Sequence, residues 1–277
     1  MINSGSALAN RFFEHGRLDD CPIYDFHAHM HEFNGGYIPR TTPGEMVRMM
    51  ERAGTRLTLF CSHQALSMPS ADGEQANVEA VRAWPAHFKA YRGIISRHTD
   101  VGKAAEEIAA NPDIYVGAKF LCDYYGVALS DKRHSPMFEF LNRNKLLCLV
   151  HTWGGSPYNG VDEVRKIAER YPDIVLVCGH SFYGRWDDGI ELALHCPNIY
   201  FEMTALHPLR GIVPYLVEHV GSHRMLFGTD LPWFSTYAGI GAILGEPIPD
   251  DDMRNIFYRN GQRLLARFPW FKDEILP

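Results

Sequence analysis

The sequence predicts an α/β fold, a (β/α)8 TIM barrel built as a single domain. Three observations predict it. Short apolar or β-branched runs alternate strictly with amphipathic stretches, eight such pairs follow one another, and their spacing averages about 29 residues, the length of a βα unit. Strict alternation implies parallel strands with right-handed crossovers, and a count of eight implies closure. An open doubly wound sheet is the weaker alternative, because no glycine-rich phosphate turn follows the first strand.

Each element has a local reason. Residues 1–18 form an N-terminal extension packed on or beside the barrel, which occupies 19–277. The strand runs are 22–27, 56–61, 90–96, 114–120, 146–151, 174–180, 199–203 and 224–230. Several are apolar almost throughout, as strands covered on both faces are. The first helix of the barrel, 43–53, starts behind Thr42, a residue type that caps helix N-termini, and stops at Gly54, which tolerates the left-handed turn past a helix end. Further helices are expected at 74–83, 101–110, 135–144, 161–170, 188–195, 212–219 and 251–267. Asn111-Pro112, Tyr171-Pro172 and Cys196-Pro197 each close a helix, because a residue before proline is pushed out of the helical region. No linker, repeat or charge block divides the domain.

Composition narrows the function. The chain is 46% hydrophobic and 22% charged, which is globular composition. The longest apolar runs are strand-sized, far below the ~18 residues a membrane helix needs. The first twenty residues contain no apolar signal-like core, so neither a membrane partner nor a secretory signal is expected. A net charge of −6 gives no electrostatic pull toward nucleic acid. Of the six cysteines, Cys61, Cys148 and Cys178 fall inside apolar runs and none pairs as Cys-x-x-Cys, so buried free thiols and a cytoplasmic setting are expected. Histidine is the outlier: 14 residues, about twice an average share.

The placement of those histidines matters more than their number. In such a barrel the chemistry sits at the C-terminal ends of the strands. The first strand ends Asp25-Phe26-His27-Ala28-His29, so Asp25, His27 and His29 share one face, the interior. The fifth ends at His151, the sixth at His180, and the eighth at Phe227-Gly228-Thr229-Asp230; Lys119 lies near the end of the fourth. A single strand-end histidine is usually a hydrogen-bonded structural residue, and an aspartate after Gly-Thr can simply start a turn. Imidazoles and carboxylates at one end of four strands around one cavity point instead to a divalent metal. Such ions take nitrogen and oxygen ligands at about 2.0–2.2 Å and bring the pKa of bound water from about 15.7 to about 7.

These residues resemble the amidohydrolase superfamily, in particular its amidohydrolase-related branch of metal-dependent barrel hydrolases and decarboxylases. The resemblance runs from about Ile23 to Arg267 and rests on the Asp-x-His-x-His, the histidines of strands five and six, and Phe-Gly-Thr-Asp-x-Pro of strand eight. It implies that His27, His29, His151 and Asp230 bind the metal, that Asp230 is also the general base, and that His180 lies close to the ion as a ligand or catalytic group. Asp25 would brace the strand-one histidines. Lys119 is where the family divides, since in some members a strand-four lysine is carbamylated and bridges two metals. One divalent ion is expected here: zinc first, with manganese, iron, cobalt and nickel compatible. A two-metal site with carbamylated Lys119 is the less favoured arrangement.

The implied reaction is hydrolysis of an amide, lactone or ester bond in a small, carboxylate-bearing molecule. A nonoxidative decarboxylase of an aromatic or unsaturated acid is one alternative. A non-catalytic metal- or ligand-binding barrel is another, and the retained Asp230 argues against it. Lys119, Arg97, Trp153 and Trp233 are the candidate substrate contacts, cations for a carboxylate and aromatics for a flat ring. His63, His98, Tyr124, Tyr125, Tyr183, Arg185, Glu202 and Thr204 also fall at the rim. The partner is a small molecule, and a homo-oligomer is left open.

Overall fold

The structure, a computed structural model, describes residues 5–67 and 71–272. Its strands are β1 (Ile23–Met30), β2 (Thr55–Ser62), β3 (Phe88–Ile94), β4 (Tyr115–Phe120), β5 (Leu147–Trp153), β6 (Val175–Tyr183), β7 (Ile199–Glu202) and β8 (Met225–Leu226). They pair in parallel, each with the next in sequence. Closure comes from the segment after β8. Phe26 N–H donates to the Phe227 carbonyl (2.9 Å), Asp230 N–H to that of His27 (2.7 Å), and His29 N–H to that of Leu231 (2.6 Å). The expected (β/α)8 barrel is therefore what forms.

The eighth strand is shorter than its sequence run suggests. Regular strand geometry ends at Leu226, and Asp230 adopts the left-handed conformation with φ 57°. Asp25 explains the departure: its carboxylate accepts the Thr229 hydroxyl (2.6 Å) and amide (3.2 Å) together with the His27 amide (3.0 Å). That clamp ties the end of the eighth run to β1 at the point where Asp230 must turn inward.

Helices Pro43–Ala53, Val101–Ala110 and Val161–Arg170 form over the residues read from the sequence. Gly54 is left-handed with φ 82°, and a Cβ there would sit 3.0 Å from the Leu18 carbonyl. The run 251–267 is not one regular helix, since Asn255–Arg259 is a π turn between Asp250–Arg254 and Asn260–Leu265. Thr236–Leu244 is a helix the sequence reading lacked; its glycines and near-uniform apolarity leave no amphipathic stripe. Helix Ala7–His15 lies before the barrel and buries Leu8, Ala9 and Phe12, while Asp250 accepts the Ser6 hydroxyl (2.5 Å) and the Leu8 amide (3.1 Å). All six cysteines are free and buried. Among the described residues no helix is long and apolar enough to cross a membrane.

Candidate metal centre

All of β1 is buried, and its alternation carries His27 and His29 into the barrel mouth. His29 Nδ1 lies 3.0 Å from the Cys61 carbonyl. A carbonyl only accepts, so Nδ1 carries the proton and Nε2 is left with a bare lone pair. His27 Nδ1 lies 2.8 Å from Glu202 Oε2. The same carboxylate accepts the Thr204 amide (2.6 Å), the Thr204 hydroxyl (2.5 Å) and the His180 amide (3.3 Å). Burial pushes the Glu202 carboxyl up to about 8 even though the Thr204 hydrogen bonds pull it down; at His27 the opposite nitrogen decides, because Lys119 Nζ stands 2.7 Å from Nε2 and donates to it. The His27 proton is thus held at Nδ1, facing the carboxylate, and its Nε2 is unprotonated as well. Gly228 makes room for the carboxylate, since a Cβ there would lie 1.9 Å from Glu202 Oε1.

Asp230 completes a cluster of acceptors. Its Oδ1 lies 3.3 Å from His27 Nε2 and 3.1 Å from His29 Nε2. With both nitrogens bare, no proton stands between them and the oxygen, and Asp230 Oδ1 has no hydrogen-bond partner. Ligand atoms of His27, His29 and Asp230 all fall within 4.8 Å of one another. Three converging acceptors in a buried pocket repel one another unless a cation lies among them. Lys119 is one such cation: fully buried, its Nζ stands 2.7 Å and 2.8 Å from the two Nε2 atoms and donates to them, while Asp230 Oδ1 is left without a partner. Burial pulls that amine down to about 8. Two imidazole nitrogens and a carboxylate oxygen fit a divalent transition metal.

His180 and His151 stand beside this cluster. His180 Nε2 lies 3.0 Å from His151 Nδ1, and the His180 ring packs edge-on against His27 at 5.1 Å. Burial pulls the two imidazoles down to about 3 and about 4 respectively, so both are neutral at pH 7. His180, Ser181 and Phe182 are consecutively left-handed, φ 66°, 52° and 55°. Such conformations cost of order 1–3 kcal/mol each. They are held by the Ser181 hydroxyl on the Glu202 carbonyl (2.7 Å) and by the Phe182 amide on the Thr152 hydroxyl (2.9 Å).

The remaining sequence candidates divide. Trp153 stacks on Tyr183 (4.3 Å, 8°) and meets His180 edge-on. Trp233 caps the other side, its indole N–H donating to His63 Nε2 at 2.8 Å. Both indoles are exposed to incoming molecules. Arg97 instead is exposed and donates to the Tyr125 carbonyl in a neighbouring loop. Asp25 braces the His27 backbone rather than its ring. Sequence reasoning placed Glu202 and His63 only at the rim, yet Glu202 fixes the His27 tautomer and His63 stacks face-on against His29 (4.7 Å, 8°). The one available signal was a lone acid ending an otherwise apolar strand.

Residues 24–267 match the family model described as Amidohydrolase. The chain belongs to the amidohydrolase family. Among solved structures it is similar to an uncharacterised TIM-barrel protein from Bordetella bronchiseptica, with TM-score 0.73 and 19% identity over 89% of this chain and 99% of that one. It is also similar to 5-carboxyvanillate decarboxylase from Sphingomonas paucimobilis, with TM-score 0.70 and 15% identity over 89% and 99%. A third is dihydroxybenzoic acid decarboxylase from Polaromonas sp. JS666, solved with manganese and 2-nitroresorcinol, at TM-score 0.68 and 16% identity over 92% and 100%. At such identities the likeness is one of fold. No curated protein matches the chain.

Proposed function

We propose that this amidohydrolase is a metal-dependent hydrolase that opens an amide, lactone or ester bond of a small carboxylate-bearing molecule. The observation that carries the reading is Asp230 Oδ1, buried without a hydrogen-bond partner beside two unprotonated imidazole nitrogens that also face Lys119. His27, His29 and Asp230 would hold one ion, with His151 as the further ligand. The donor set favours zinc, and the manganese of the Polaromonas structure makes that ion the chief competitor. A divalent ion bound there supplies Lewis acidity and an acidified water. Asp230 takes the water's proton and returns it to the leaving nitrogen or oxygen. His180, whose Nδ1 is buried and unpartnered, offers the hydrogen-bonding group for the developing oxyanion. Lys119 adds positive charge at the same place. Six buried free thiols suit a reducing, cytoplasmic setting.

Lys119 also favours hydrolysis over decarboxylation. A cation stabilises negative charge that builds up on a carbonyl oxygen, whereas loss of carbon dioxide needs charge to leave the carboxylate. The second reading, a nonoxidative decarboxylase, is supported by Trp153, Tyr183 and Trp233 at the mouth, which suit a flat ring, and by the decarboxylases among the similar structures. One screen separates the two. Protein loaded with zinc or manganese is offered lactones, amides, esters and hydroxylated aromatic acids, and acid release and carbon dioxide are both followed. Acid release from a lactone, amide or ester without carbon dioxide is expected; carbon dioxide from an aromatic acid as the only product would replace the hydrolase reading with the decarboxylase.

A further inference from the structure

We propose that Trp233, acting through His63, sets the plane of the His29 imidazole and thereby how tightly the cluster holds its ion. The proposal rests on the metal reading of the cluster and is independent of which reaction the enzyme performs.

His63 is clamped at both ring nitrogens. The Trp233 indole N–H can only donate, so His63 Nε2, 2.8 Å away, must accept. The proton is therefore on Nδ1, which donates to the His31 carbonyl at 2.9 Å. His31 lies just past the end of β1 in the left-handed conformation, φ 64°, and is itself tied to Thr41. With both nitrogens committed and the residue buried, His63 is neither a ligand nor a proton carrier. It is a fixed plate.

That plate lies on His29, ring centroids 4.7 Å apart and planes within 8°. The Cys61 carbonyl and Lys119 Nζ hold the two ring nitrogens of His29 along its edge, and His63 is the group that lies flat on its face. Stacking on His63 fixes the plane of that ring and with it the direction in which Nε2 faces Asp230 Oδ1, 3.1 Å away. The Trp233 backbone N–H donates to the Asp230 carbonyl at 2.8 Å, so the residue carrying the indole is tied through its main chain to the residue carrying that oxygen. Phe33 packs edge-on against Trp233 at 5.0 Å and at a tilt against His63 at 5.4 Å, closing the stack from outside. The segment after β8 and the end of β1, distant in sequence, thus adjust two ligands to each other through one aromatic pair.

The test uses the full chain with cobalt(II) as the probe ion, its affinity measured by calorimetry and its site geometry by visible absorption. Groups that orient metal-binding histidines are worth about 10–100-fold in metal affinity. His63→Ala is expected to weaken cobalt binding in that range and to shift the absorption band. Trp233→Phe keeps a ring beside Phe33 but removes the donor, and is expected to weaken binding about fivefold, the ordinary worth of one hydrogen bond. Should His63→Ala fail to fold, His63→Phe, which keeps the plate but frees it from both clamps, is measured with Trp233→Phe. Variants that melt lower without metal yet bind cobalt within twofold of the parent, with an unmoved band, would show packing alone and overturn the proposal. Weakening in the His63 variants with Trp233→Phe unchanged would remove Trp233 from it. A parent protein that takes up no cobalt would overturn the metal reading itself, a distinct result.

Discussion

Replacing Glu202 with glutamine changes one atom and tests the logic of the whole centre. The carboxylate takes two donors on each oxygen: the Thr204 amide and hydroxyl on Oε1, the His180 amide and His27 Nδ1 on Oε2. Glutamine has a single acceptor oxygen. If its nitrogen faces Thr204, it meets a backbone N–H that stood at 2.6 Å, donor against donor. If it faces the other way, the His180 amide is orphaned, and His27 can accept only by moving its proton to Nε2, which removes a lone pair from the cluster. Either way one buried N–H loses its acceptor, at about 1–3 kcal/mol. For a chain of this size that is a melting-temperature drop of roughly 2–12 °C. Metal affinity should fall about 10–100-fold, as it does when a histidine's orienting partner is lost. Differential scanning fluorimetry of the metal-free protein and calorimetric metal titration give the two numbers. A Glu202→Gln protein that melts within about 1 °C of the parent and binds metal equally well would refute the argument that this carboxylate sets the His27 tautomer.

Asp230→Asn should keep the fold and lower turnover by at least ~10²-fold, the usual loss with a general base; near-normal turnover on the substrate found by the screen would free Asp230 from that role. Lys119→Met should alter the pH dependence of stability in the metal-free protein. The buried amine is drawn from 10.5 down to about 8, so the folded state binds its proton less readily than the unfolded one. The resulting penalty, on the order of 3 kcal/mol, is complete below pH 8 and disappears as pH rises toward 10.5. Denaturant titrations from pH 7 to 10.5 should show the parent gaining relative to Lys119→Met; parallel curves would contradict this. A chelator should lower the melting temperature of metal-loaded protein, by about 2.7 kcal/mol of lost stabilisation if the ion was present at 100 times its dissociation constant. An unchanged melt would argue that the cluster holds no ion.

The sequence alone specified the barrel, because periodicity and end signals are local. Thr42, Pro43 and Gly54 delimit one helix within a dozen positions, and period-two alternation places His27 and His29 on the inward face of β1. Local signals stop where partners are far apart in the chain. Glu202 reads as a strand-end acid until folding sets it against His27, 175 positions away. His63 reads as a loop histidine until Trp233, 170 positions on, donates to it. The run through Asp230 reads as strand, but the Asp25 clamp on Thr229 turns it from regular geometry. Residue types and their order thus determined which side chains could meet at the mouth. Tautomers, ring planes and the convergence of three acceptors were decided only in the closed barrel, because hydrogen bonds act over about 3 Å and burial makes each unmet donor or acceptor costly.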